Sequence, residues 1–187
     1  MITEIFRLKK KLIKTPNYAK RNSVKFQNKC KRIKIVLTDV DGVLTDGGMY
    51  YSEKGEVFKK FNTKDGMGVE LLLKNNIVTI LLSKENSLIT KKRGKKIKAV
   101  LVLSGILKKE KELMKICKKY TIKPSEIAYI GDDINDIEII KKVGFSAAPS
   151  DSNYKVKKIV DYVCSLKGGD GAFREFADLI LSIKFAN

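Results

Sequence analysis

The residues best equipped for chemistry in this chain are acidic. Asp39 and Asp41 stand with one residue between them in the stretch Ile33 to Thr45, IKIVLTDVDGVLT, and Gly42 follows at once. The apolar run before them reads as a buried strand. Side chains at i and i+2 of a strand leave on the same face, so both carboxylates are expected to project together from its carboxyl end. Such a pair repels itself unless a cation sits between the groups or one of them holds a proton. An apolar strand running into an ordinary Asp-Gly turn is the plainer reading of the same residues. A second acidic cluster, Gly131-Asp132-Asp133-Ile134-Asn135-Asp136, follows another strand and opens a helix. In an α/β sheet this puts Asp132 and Asp133 at the edge that carries Asp39 and Asp41, where open sheets bind ligands. Carboxylates converging there without histidine or thiolate form a hard oxygen site suited to Mg²⁺. Taken alone, the second cluster also reads as acids placed favourably at a helix N-terminus.

Two more strand ends contribute. Ser83 follows the run Ile77 to Leu82 and offers a hydroxyl and nearby backbone N–H groups to an anion, although Ser at a strand end is also an ordinary turn residue. Lys108 and Lys109 open a helix, where a cation opposes the dipole, so a lysine there serves something anionic or is a coincidence of a Lys-rich chain.

The elements that position these groups alternate strand and helix from Ile33 onward, as a parallel α/β sheet requires. Met49 to Phe61 reads as two short strands around Ser52-Glu53-Lys54-Gly55, a hairpin flap above the carboxylate pair. Helices are predicted over Asp65 to Lys74, Ser87 to Lys92, Lys108 to Tyr120, Asn135 to Val143 and Ala172 to Ile183. Strands are predicted over Ile77 to Leu82, Ala99 to Leu103, Ile127 to Ile130, Phe145 to Ala148 and Tyr162 to Cys164. The expected fold is a Rossmann-like parallel sheet with helices on both faces, a small β-hairpin flap and no large cap domain. Residues 33–187 are expected to form one domain behind a basic N-terminal arm, residues 1–32.

Composition narrows the chemistry. At 187 residues, 43% of them hydrophobic, the chain can bury a full core. It contains no histidine, which excludes a catalytic His, a His-ligated metal and a Ser-His-Asp triad. Cys30, Cys117 and Cys164 are odd in number and widely spaced, which argues for a reducing compartment and against a disulfide framework or structural zinc. The net charge is +18, of which residues 1–34 supply +11 from 12 basic residues and Glu4. That leader has no apolar run long enough for a signal-peptide core or a membrane span. Ile5, Leu8 and Leu12 recur at helical spacing, so a short basic helix touching a membrane surface or nucleic acid competes with a solvated, partly disordered arm. No aromatic residues interleave with the basic ones in an RNA-binding pattern, so nucleic acid is not an expected partner.

The motifs carry a resemblance. Asp39-Val40-Asp41-Gly42-Val43, Ser83, Lys109 and Gly131-Asp132-Asp133 with Asp136 resemble, in order and spacing, the four motifs of the haloacid dehalogenase superfamily of phosphatases. Thr45-Asp46-Gly47, the hairpin, Phe61-Asn62-Thr63-Lys64-Asp65-Gly66 and Gly168-Gly169-Asp170-Gly171-Ala172-Phe173-Arg174-Glu175 more narrowly resemble the 3-deoxy-D-manno-octulosonate 8-phosphate phosphatase family. Relatives of that family hydrolyse nine-carbon, sialic-acid-type 9-phosphates. The resemblance implies a Mg²⁺-dependent phosphoric monoester hydrolase of a 2-keto-3-deoxy sugar acid. Asp39 would be the nucleophile and Asp41 the acid and base. Mg²⁺ would be held by Asp39, Asp132 and the backbone carbonyl of Asp41. Ser83 would bind the phosphoryl group, Lys109 would neutralise charge beside Asp39, and Asp133 and Asp136 would support the metal and the lysine. Asn62, Asp65, Gly66, Glu85 and Arg174 would serve substrate binding. A cytoplasmic homotetramer is implied, in which the hairpin and the Gly168 to Arg174 segment reach neighbouring subunits.

The second motif departs from the Thr-Gly-Arg type of the octulosonate enzymes. Here it reads Ser83-Lys84-Glu85-Asn86, which removes a permissive glycine and reverses a charge. Glu85 looks more like the nonulosonate 9-phosphate enzymes. A nucleic-acid-directed or broad-specificity phosphatase, a phosphotransferase, or a non-catalytic regulatory protein on the same fold are the competing functions.

Overall fold

The computed structural model describes residues 23–186. Its centre is a parallel sheet built from apolar, β-branched runs too short and too buried for helix. The strands are β1 (Ile35–Thr38), β4 (Val78–Leu82), β5 (Leu101–Leu103), β6 (Ile127–Ile130), β7 (Phe145–Ala148) and β8 (Tyr162–Val163). They lie in the order β5-β4-β1-β6-β7-β8, with β1 flanked by β4 and β6. Ile35 stands opposite Val78 on one side and Ile127 on the other, so the carboxyl ends of β1, β4 and β6 finish level. β2 (Tyr50–Ser52) and β3 (Gly55–Phe58) form the separate antiparallel hairpin, its base held by a bridge between Thr45 and Phe61.

Alternation along the strands assigns two cores. Val36, Leu81, Ala128 and Phe145 face a cluster with α1 (Val24–Arg32), α2 (Thr63–Lys74) and α7 (Ala172–Lys184). On the same face α3 (Leu88–Lys96) sets Gly94 against Leu81 and Val102, where a Cβ would come within 2.2 Å of Val102 Cγ2. Ile35, Leu37, Ile80 and Tyr129 face the opposite cluster, with α4 (Lys109–Tyr120), α5 (Ile137–Ile140) and α6 (Tyr154–Ile159). Helices therefore cover both faces of a Rossmann-like sheet, and the hairpin is a small insertion after β1.

Several boundaries differ from the sequence reading, each for a local reason. The packed body does not begin at residue 33: α1 buries Phe26 and Cys30 in the first core, and Phe26 meets Phe145 edge-on with ring centres 5.0 Å apart. Its basic residues lie on the outer side and mask that apolar stripe in the composition. The leader helix expected around Ile5 to Leu12 falls outside the described residues. α2 starts at Thr63 because Asn62 caps it, its side-chain oxygen accepting from the Lys64 N–H. The predicted helix Asn135 to Val143 is a tight turn, Ile134–Asp136, followed by the short α5. α6 has no counterpart in the sequence reading; Asn153 caps it through the Lys155 N–H. The three cysteines are buried and form no disulfide.

Candidate active site

The level strand ends deliver the acidic groups to one edge. β1 stops at Thr38, and the Asp39 N–H still bonds to the Ile130 carbonyl of β6 at 2.9 Å. From Val40 the chain turns, with the N–H groups of Leu44 and Thr45 both donating to the Val40 carbonyl. Strict strand alternation thus ends at Asp39, and each carboxylate acquires a lysine partner of its own. Asp39 is buried; its Oδ1 accepts from the Val40 N–H at 2.7 Å, and its Oδ2 lies 2.7 Å from Lys109 Nζ. Asp41 is half-buried, and its Oδ1 lies 2.5 Å from Lys59 Nζ. Gly42 lets the turn close: its φ is +82°, and a Cβ there would stand 2.1 Å from Asp132 Oδ2.

Lys109 is the first residue of α4, and its side chain is 1% exposed. Its ammonium spans Asp39 and Asp136 Oδ1, at 2.7 Å each, and bonds to the Tyr129 hydroxyl at 3.2 Å. Lys108 is the exposed residue before the helix, so of the two lysines only Lys109 points inward. Asp136 has no exposure and both its oxygens are engaged. Oδ1 accepts from Lys109 and from the Tyr129 hydroxyl at 2.6 Å; Oδ2 accepts from the Asp132 and Asp133 N–H groups at 2.9 and 3.3 Å. It is a brace for the lysine and for the loop carrying Asp132. Asp133 is exposed and accepts from Asn153 Nδ2 at 3.2 Å.

Charge at this edge is unbalanced. Burial, and then the neighbouring carboxylates, raise the Asp132 carboxyl to about 8, with Asp39 the larger of those neighbours. Burial also raises Asp39, to about 7, although Lys109 pulls it down. One carboxylate oxygen from each of Asp39, Asp132 and Asp136 lies within 4.8 Å of the others. Lys109 offsets only one of these three charges, and the remainder is what one divalent cation would neutralise. With oxygen donors alone and no histidine anywhere in the chain, the donor set fits a hard ion such as Mg²⁺. Each Asp136 oxygen already accepts two hydrogen bonds, whereas each Asp39 oxygen has one partner, so Asp39 and Asp132 are the side chains with oxygen capacity left for it.

A cavity of about 550 Å³ opens above these groups, lined by Asp39, Asp41, Lys84, Glu85, Asp132, Asp133, Ile134 and Asn135. Ser83 directly follows β4 but is fully buried and is not part of this wall; its Oγ accepts from the Glu85 N–H at 3.2 Å. Lys84 and Glu85 form the wall in its place. Of the expected substrate residues, only Glu85 lines the cavity. Asn62 donates to the Gly169 carbonyl at 3.1 Å, and Asp65 is buried, accepting from the Arg174 N–H at 3.0 Å. The Arg174 guanidinium pairs with Asp178 and faces a different cavity, and Gly66 lines a third one beside Arg93. Within one chain, then, Asp65 and Arg174 join α2 to α7, and Asn62 ties the start of α2 to the Gly169 loop, rather than meeting the carboxylates. Gly168 and Gly169 pack on the backbone of the Asp39 turn: a Cβ on Gly168 would reach 2.0 Å from the Gly42 carbonyl oxygen, and the Gly169 N–H donates to Val43 at 3.0 Å.

Sequence reasoning missed two members of the site. Tyr129 sits in an apolar strand, and its hydroxyl, the one polar group of that run, was the available signal. Lys59 carried no signal, being one lysine among many in a short exposed hairpin.

Comparison with known proteins agrees with the geometry. The family model for haloacid dehalogenase-like hydrolases matches residues 24–175. The 3-deoxy-D-manno-octulosonate 8-phosphate phosphatase of Haemophilus influenzae is 41% identical over 155 residues, covering 83% of this chain and 86% of that protein. A solved cobalt-bound form of the Haemophilus influenzae enzyme superposes with a TM-score of 0.81 at 38% identity, covering 85% of this chain and 96% of that one. The Moraxella catarrhalis enzyme, solved with a magnesium ion, a phosphate ion and a KDO molecule, gives a TM-score of 0.82 at 32% identity over 84% of this chain and 91% of its own. A Rossmann-like sheet whose carboxyl edge gathers Asp39, Asp41, Lys109 and Asp132, together with these likenesses, shows that the chain belongs to the haloacid dehalogenase-like hydrolases and is a phosphoric monoester hydrolase related to the octulosonate phosphatases.

Proposed function

We propose that this chain is a Mg²⁺-dependent phosphatase of a 2-keto-3-deoxy sugar acid, acting through an aspartyl-phosphate on Asp39. The observation that carries the reading is the Asp39 carboxylate, fixed by Lys109 and the Val40 N–H beside Asp132 and Asp41 at the floor of an open polar cavity. Asp39 and Asp132, with the Asp41 backbone carbonyl, would hold Mg²⁺, which when bound offsets charge on the phosphoryl oxygens. An Asp39 oxygen attacks phosphorus, and the bond from phosphorus to the sugar oxygen breaks. Asp41, protonated, gives its proton to that departing oxygen. Asp41 then takes a proton from water as the water oxygen attacks phosphorus, which releases phosphate and restores Asp39. Lys109 holds Asp39 in line throughout and is itself braced by Asp136. Ser83 acts beneath the loop, holding the Glu85 N–H and shaping the wall that meets the phosphoryl group.

The relatives named as octulosonate 8-phosphate phosphatases support an eight-carbon substrate, while Glu85 on the cavity wall supports a nine-carbon nonulosonate 9-phosphate. Exposed apolar residues on the hairpin, Tyr51, Val57 and Phe58 with Tyr50 stacked on it, support packing against neighbouring subunits in a homotetramer. In such an assembly the hairpin and the Gly168 to Arg174 segment would reach a neighbour's substrate, while Asp65, buried against the Arg174 N–H, would act only by holding that segment in place. Among the described residues no helix is long and apolar enough to cross a membrane, and buried, unbridged cysteines support a cytoplasmic setting. The test is phosphate release, with Mg²⁺ or with chelator, from octulosonate 8-phosphate, neuraminate-type 9-phosphates and hexose phosphates. Wild type should turn over one of the sugar acids in preference and Asp39→Asn none; retained activity in Asp39→Asn sinks the mechanism.

A further inference from the structure

The proposed reaction leaves one buried cation beside the cavity without a role. Lys59 follows β3 at the base of the hairpin, and its side chain is only 1% exposed. Its ammonium lies 2.5 Å from Asp41 Oδ1 and 3.1 Å from Glu56 Oε1. Glu56 Oε2 in turn accepts from the Ser87 hydroxyl at 2.7 Å. Ser87 is buried at the foot of α3, directly after the exposed Lys84 to Asn86 loop whose first two residues wall the cavity. The line Asp41–Lys59–Glu56–Ser87 therefore joins three stretches of chain that are distant in sequence: the Asp39 turn, the hairpin and the loop after β4.

Burying an ammonium is unfavourable unless carboxylates hold it, and once held it can scarcely move. A simple counter-charge for Asp41 could sit on the surface, where lysines are plentiful in this chain. Lys59 instead is enclosed and engages one named oxygen of Asp41, which leaves Oδ2 for proton exchange. We propose that Lys59 is a positioning residue for Asp41, fixing the rotation of its carboxylate so that Oδ2 meets the leaving oxygen. Glu56 and Ser87 carry that constraint to the hairpin and the cavity wall, so a substrate that seats against the wall also seats Asp41. This rests on the reading of Asp41 as the group that protonates the leaving oxygen.

A leaving-group series tests it. Single-turnover release of the phenol would be followed for dinitrophenyl, p-nitrophenyl and phenyl phosphates with the full-length protein and Mg²⁺. A good leaving group departs without a proton and a poor one needs it, so loss of a correctly aimed acid steepens the dependence of rate on leaving group. For Lys59→Met the phenyl ester is expected to lose on the order of a hundredfold in rate and the dinitrophenyl ester less than about threefold, as a share of the ~10²–10⁴ that general acids supply. Lys59→Arg should recover part of the phenyl rate, and Glu56→Gln should give an intermediate slope. Equal losses across the series, or a wild-type slope in these variants, overturn the inference. Should Lys59→Met not fold, Lys59→Arg and Glu56→Gln decide by the same slope. Asp39→Asn in the same assay keeps the two readings apart. If wild type shows no turnover, or Asp39→Asn matches it, the phosphatase mechanism fails; if those controls behave and the slopes do not change, only the role of Lys59 fails.

Discussion

Asp132→Asn should make the metal-free protein more stable, not less, and the gain should grow with pH. Asp132 is raised to about 8 in the folded chain by burial and by Asp39 and Asp136, against 3.8 for an ordinary aspartate. Between those values the folded state binds more protons than the unfolded state, so stability falls as pH rises through that window. A shift of about four pH units, at about 1.4 kcal/mol each, bounds the penalty near 6 kcal/mol at pH 8. At pH 5 the same linkage leaves only about 1–2 kcal/mol, because folded Asp132 is then protonated. The Asp39 shift comes from its own burial, opposed by Lys109, and from Asp136, and it is present in both proteins. Urea unfolding in chelator at pH 5 and pH 8 measures both ends. The wild type should lose several kcal/mol more than Asp132→Asn across that interval, and Mg²⁺ should restore the loss only in the wild type. If Asp132→Asn is the less stable protein at pH 8 without metal, or if the two pH slopes coincide, the reasoning about unbalanced charge is wrong.

Other perturbations test the surrounding structure. Lys109→Met removes the cation shared by two buried carboxylates and should cost about 3–5 kcal/mol in denaturant unfolding at neutral pH, less in acid. Asp65 is buried and raised to about 6, mainly by burial; Asp65→Asn should therefore remove a stability decline of up to about 3 kcal/mol between roughly pH 4 and pH 6, seen as a flatter unfolding profile. Gly42→Ala forces a Cβ onto Asp132 and a left-handed backbone on alanine, and should weaken Mg²⁺ binding by tenfold or more in calorimetry, about the 1.4 kcal/mol of a single strained contact. Phe26→Ala should destabilise the protein by about 3–5 kcal/mol in thermal or urea unfolding, as for any core aromatic.

The legible parts of the molecule are those governed by short-range rules. Apolar runs such as Ile77 to Leu82 and Ile127 to Ile130 announce buried strands, and a parallel sheet must bring the residues at their carboxyl ends to one edge. That is why Asp39 and Asp132 could be gathered from the sequence, whereas Lys109 is told from Lys108 only by its resemblance to the family's motif lysine. Helix α1 could not, because its apolar stripe of Phe26 and Cys30 is interrupted by basic residues and its partner Phe145 is more than a hundred residues away. The motif assigns Asn62, Asp65 and Arg174 to substrate. Their partners within the chain, Gly169 for Asn62 and each other for Asp65 and Arg174, come from the packing of α2 against α7 and its leading loop, which lies more than a hundred residues away. Lys59 was invisible for a related reason: its burial is created by the fold-back of the hairpin, which no local pattern encodes.

The contrast between buried Lys109 and exposed Glu85 bears on how such a protein can change over generations. The Asp39–Lys109–Asp136 set is buried against the sheet, so losing its cation or its brace endangers folding itself. Lys84 and Glu85 are exposed and line the same cavity, and substitutions at such surface positions usually shift stability by no more than about 0.5 kcal/mol. Selection for a new substrate can therefore act on this loop almost without interference from selection for a folded chain. Under the proposed function, the choice of substrate is the property most free to drift, and phosphoryl chemistry the least.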